Sequence, residues 1–177
     1  MKKYFLFFIT ITMLWSCKKN IDTESIYAQL QDNQTKFILT LGGEIFYGED
    51  AVFTGMARTT ENFFQMNYFD QYGSNYMLMF DGKAWYNEKK IKGFAGGSDA
   101  STLMVGKVVD KEKNKGAGYL MKSGFIEPLI ISQSKLVFKV SGKMKKYPNM
   151  KDEDPSFDFE GYIISKSPKF EEYSIPK

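Results

Sequence analysis

Three consecutive acids, Asp152, Glu153 and Asp154, stand between Asn149 and Pro155, with Asp158 and Glu160 close behind. Calcium takes about six to eight oxygen ligands, and a carboxylate-rich loop supplies several of them. The alternating Asp/Asn spacing and the glycine of a calcium loop are missing, however, and Lys151 interrupts the run. These acids are weak metal candidates, and the expectation is a solvated hairpin tip that holds none. Met77 and Met79 form a Met-x-Met pair, and thioethers select Cu(I). On an apolar strand methionine is ordinary gap-filling material, so the pair reads as core. Asp70, Asp81, Glu88 and Asp99 lie near aromatic-rich segments, which leaves a carboxylate dyad for glycoside hydrolysis formally open. The stretch Gly93–Asp99 lacks the Gly-Lys-Ser/Thr of a phosphate loop and the full dinucleotide fingerprint. It reads as a loop over one end of the fold.

What the chain lacks narrows the choice. Its 177 residues include no histidine, so the commonest general base and metal ligand is missing. The single cysteine, Cys17, excludes disulfide frameworks, Cys-ligated zinc and dithiol redox pairs. The 24 basic residues are lysines apart from Arg58, a poor endowment for bidentate recognition of phosphates or bases. A non-enzymatic protein without a cofactor is expected.

The remaining chemistry is that of contact. Aromatics make up 16% of the chain and are densest from Phe63 to Tyr86, more than one face of a core needs. Tyr72 falls in the loop Asp70–Asn75, and Trp85 and Tyr86 point to opposite faces of their segment. Amphipathic rings held on a rigid sheet are favourable contacts for a partner or ligand. Tyr72, Trp85 and Tyr86 are the candidates.

The elements that must carry these residues read as strands. Phe64, Met66 and Tyr68 alternate with Gln65 and Asn67. Tyr76 to Phe80 is apolar on both faces and ends at Asp81-Gly82, a hairpin signal before Lys83 to Asn87. Thr102 to Val109 is a buried strand, and Tyr119 to Phe125 and Leu129 to Ser132 are two short ones parted by Glu127-Pro128. Leu136, Phe138, Val140, Gly142 and Met144 share a face, opposite a row rich in lysine. Phe157, Phe159, Gly161 and Ile163 mirror them, opposite Asp158 and Glu160. Antiparallel pairing with Phe138 and Phe159 on one side places Lys143 against Asp158 or Glu160. About eight or nine strands between residues 37 and 165 predict an all-β fold, an antiparallel sandwich or barrel. One short helix precedes it, capped by Asp22 or Thr23, with Ile26, Tyr27 and Leu30 at helical spacing. The domain is expected over 37–170, with a tail over 171–177.

The N-terminus is an address. Lys2 and Lys3 precede an uncharged, mostly apolar run from Tyr4 to Trp15, about 18 Å long as a helix and too short to span a bilayer. It reads as a signal peptide over 1–16. The sequence Leu14-Trp15-Ser16-Cys17 resembles the lipobox of bacterial lipoproteins, with Trp15 where a small residue is usual. The resemblance covers residues 1–17 and implies that Cys17 is lipidated and becomes the N-terminus, with 17–36 as its tether. Several acyl chains then anchor the protein stably. Without Lys2 and Lys3 the balance is nearly neutral, so no electrostatic case for nucleic acid remains. Lys18 is not the Asp that follows Cys in inner-membrane lipoproteins, which favours the outer membrane. The Lys-, Asn- and Phe-rich style looks like small lipoproteins of Bacteroidota. Two functions follow as expectations: a protein-interaction or accessory module with a filled core, or a lipocalin-like binder of a small apolar ligand with an internal cavity.

Overall fold

The computed structural model describes residues 21–94, 101–148 and 150–175. The leader, Cys17 and most of the glycine-rich loop, with Asp99, lie outside the described residues. The helix α1 (Thr23–Gln29) begins where Asp22 Oδ1 accepts from the backbone N–H groups of Glu24 and Ser25, both at 3.1 Å. Eleven strands follow: β1 (Gln34–Leu41), β2 (Glu44–Ile45), β3 (Phe53–Thr60), β4 (Phe63–Asp70), β5 (Asn75–Asp81), β6 (Ile91–Phe94), β7 (Thr102–Asp110), β8 (Lys115–Ile131), β9 (Lys135–Tyr147), β10 (Ser156–Lys166) and β11 (Phe170–Tyr173).

Eight of these strands close into an antiparallel barrel in the order β1-β3-β4-β5-β7-β8-β9-β10. The seam between β1 and β3 rests on one pair, Thr35 opposite Phe53. Beyond it β11 runs parallel to β3, from Phe170 opposite Ala57 to Tyr173 opposite Thr59. The short β2 and β6 pair with β1 and β8.

Alternation decides which side chains enter. Phe64, Met66 and Tyr68 from β4, Tyr76, Leu78 and Phe80 from β5, and Leu136, Phe138, Val140 and Met144 from β9 are all buried in one core. An eight-stranded barrel is just wide enough for side chains to fill it, and aromatic rings fill this one. Phe64 packs 5.0 Å from Phe138 and 4.9 Å from Phe80, centroid to centroid. Val137, the apolar exception on the outer face of β9, is explained by α1: with Ile164 it meets Leu30 in a small outer cluster. The predicted register holds, with Asp158 opposite Lys143 and Nζ 2.8 Å from Oδ1.

Four expectations change. The Asp81-Gly82 hairpin does not form. Gly82 and Ala84 donate instead to the carbonyls of Asn62 and Glu61, and a 3-10 turn at Trp85–Asn87 swings Trp85 into the floor of the barrel. Burying that indole outweighs the local turn preference. The two short strands before Lys135 are one long β8, which absorbs Pro128 at an irregularity between Pro128 and Ile130. The first strand begins at Gln34 rather than Phe37. Lys145, read as an outward lysine, is buried and donates to the carbonyls of Lys151 and Asp152, which holds the acidic loop down.

Candidate partner-binding end of the barrel

The barrel has two unlike ends. At the first, Trp85 forms the floor: its Nε1–H donates to Thr60 O at 3.0 Å, and its ring packs 4.8 Å from Phe80. Helix α1 docks near this end, on the outer wall of β9 and β10, where Glu24 pairs with Lys135 at 2.7 Å. The other end is closed by the segment from Phe46 to Val52. Tyr47 enters the core, 4.8 Å from Phe53, and donates to Asn75 O at 2.7 Å. Lys36 pins the same segment by donating to the carbonyls of Ala51 and Glu49. Burial pushes the Lys36 ammonium below its ordinary pKa, and Asp50 and Glu49 partly offset this.

Hydrogen bonds tie this plug to the neighbouring turns. Gln71 Nε2 donates to Asp50 O at 2.9 Å, and Tyr72 OH donates to the Asp50 carboxylate. Asp70 Oδ1 accepts from the N–H groups of Tyr72 at 2.9 Å and Ser74 at 2.7 Å, which sets the β4–β5 turn. Ser74 Oγ in turn accepts from Val108 N at 3.2 Å, joining the β7 end. The rim is therefore preorganised.

Large apolar side chains crowd this rigid rim. Ile45, Phe69, Tyr72, Val109 and Tyr147, five of the eight exposed large hydrophobics among the described residues, stand at this end. Beside the plug opens a concavity of about 380 Å³, lined by Leu41, Gly42, Glu44, Ile45, Phe46, Lys107, Tyr119 and Phe157. Its aromatic wall is built edge to face: Tyr119 lies 5.7 Å from both Phe46 and Phe157. Glu44 and Lys107 add one charge of each sign. A shallower hollow of about 240 Å³ lies next to it, over Gly106 and Gly118.

The predicted contacts separate. Tyr72 is half exposed on this rim. Trp85 is core, only 1% exposed, and is unavailable to a partner, because its large apolar ring is what seals the floor. Tyr86 is half-buried beside it, 5.9 Å away, at the floor end of the barrel. Phe46, Tyr119 and Phe157 were missed: each lies in its own sequence segment, and only closure of the barrel brings them together. Asp152 pairs with Lys122 at 3.2 Å and Asp154 accepts from Lys151 N at 2.8 Å. Among the described residues no three His, Cys, Asp or Glu side chains come together for a metal. Asp70 and Asp81 sit at opposite ends of the β4–β5 hairpin, one opposite Phe53 and the other opposite Phe63. Seven residue steps of strand put them about 23 Å apart, too far for a dyad. Comparison with protein-family models, curated proteins and solved structures finds no match for this chain.

Proposed function

We propose that this protein is a non-enzymatic lipoprotein of the cell envelope, anchored through Cys17 in the outer membrane, that binds a partner protein with the plugged end of its barrel. The carrying observation is an aromatic-walled recess with exposed Ile45 in its lining, on an end of the barrel that also exposes Phe69, Tyr72, Val109 and Tyr147 from its strand ends and turns. Exposed apolar clusters with a polar surround mark interaction sites, and aromatic side chains pack the core of this barrel. Six residues from Cys17 to Thr23 span at most about 20 Å, so an anchor at Cys17 would keep the start of α1 near the bilayer.

Two experiments test this. A photoreactive phenylalanine at Tyr72 or Ile45 is expected to give, in intact cells, one protein adduct of defined mass that the same probe at Lys139 does not give. Equal labelling at all three positions, or none, would sink the partner reading. Cys17→Ser is expected to abolish palmitate labelling and release the protein from membranes. A second reading, a small apolar ligand in the same recess, is favoured by its volume of about 380 Å³. It predicts a co-purifying small molecule in native mass spectra that Tyr119→Ala removes.

A further inference from the structure

Three thioethers share one outer face of the barrel wall. On β5 the side chains of Tyr76, Leu78 and Phe80 point inward, so Met77 and Met79 point out. On β7 Leu103 and Val105 point inward, and Met104 points out. The expectation that Met77 and Met79 fill the core is thus corrected: none of the three methionines packs against the core cluster. Met77 and Met104 are direct cross-strand partners, whose Cβ atoms stand about 5 Å apart. Met79 lies two residues along the same face, about 7 Å from Met77. All three are partly exposed, and each sulfur swings on rotatable bonds, so the three can meet at one point above the wall. Gln65 Nε2 stands 3.9 Å from Met77 Sδ, a weak contact.

Three neutral thioethers suit only a soft cation. Hard ions such as calcium and magnesium demand oxygen, and zinc prefers imidazole and thiolate, which the described barrel lacks entirely. Cu(I) accepts thioether ligands readily and needs no charged donor.

We infer that Met77, Met79 and Met104 form a surface site for one Cu(I) ion on the wall of β5 and β7. The site goes beyond the partner reading and uses none of its residues, so either can fail alone. The test uses the full chain in detergent with methyl-labelled methionine. It is titrated with Cu(I) under ascorbate against a chromogenic chelator, and with Ag(I) as a redox-stable stand-in. One equivalent is expected to be withdrawn, with the methyl signals of Met77, Met79 and Met104 shifting while those of Met66 and Met144 stay. Met77→Leu combined with Met104→Leu conserves volume and is expected to weaken binding at least tenfold, with the circular dichroism unchanged. Met56→Leu, on the same face but two strands away, is expected to bind as the parent does. No withdrawal of metal, shifts confined to other methionines, or undiminished binding by the double variant would overturn the site.

Discussion

Tyr72 and Asp50 hold one another at the rim, and the bond is visible in both acidities. The phenol donates to the carboxylate, which holds Asp50 below its ordinary pKa and Tyr72 above its own. A carboxyl with a depressed folded pKa adds stability that is present above its unfolded value of about 4 and lost as the pH falls through the folded one. Tyr72→Phe removes the donor and keeps the ring. The Asp50 carboxyl is then expected to titrate at higher pH, within the ordinary range, as followed by carbon NMR. An unmoved midpoint would mean that the rim does not depend on this bond. The exposure of Tyr72 was legible in advance because a tyrosine in a polar turn has no core to enter. Trp85 was misread for the opposite reason: its burial depends on a floor that its neighbours in sequence do not make.

At the scale of elements, the long β8 and β9 cross where Gly124 lies opposite Gly142. A methyl on Gly142 would meet Ser123 O and the Gly124 Cα across the pair, and its φ of +148° suits no L side chain. Both obstacles are backbone, so the strands themselves must part. Gly142→Ala is expected to cost about 3 kcal/mol in urea unfolding. Its neighbour supplies the contrast. The Lys143–Asp158 pair is largely exposed, and Lys143→Ala is expected to cost only about 0.5 kcal/mol or less. Alternation alone narrowed the partner of Lys143 to Asp158 or Glu160, because a slip by one residue would put Phe138 and Phe159 on opposite faces of the sheet. The glycine crossing was not readable, since a glycine on a strand face says nothing of how closely the next strand comes.

Across the whole molecule, three phenols lie inside the barrel. Burial pushes Tyr47, Tyr68 and Tyr76 above the ordinary tyrosine pKa. A raised folded pKa adds stability that is present below the unfolded value of about 10 and lost as the pH climbs beyond it. These three are expected to ionise in one cooperative step, coincident with loss of the near-ultraviolet circular dichroism. Gradual ionisation of every tyrosine below that step would contradict a closed core. The barrel also separates its surfaces: β4 and β5 lie across the ring from β9 and β10, where α1 docks. The methionines of β5 therefore lie across the ring from the docked helix.

The sequence by itself determined the all-β class, the inward sets of β4, β9 and β10, a short helix capped at Asp22 or Thr23, and a partner for Lys143 at Asp158 or Glu160. These follow from a period of two and from side-chain chemistry within a few residues. Only the tertiary structure decided barrel over sandwich, since closure rests on the meeting of Thr35 and Phe53, distant in sequence and unmarked by any local pattern. It also decided the roles of Met77, Met79 and Trp85. An apolar residue on a strand apolar on both faces carries no sign of which side the core will take, and that choice is made by the strands that close around it.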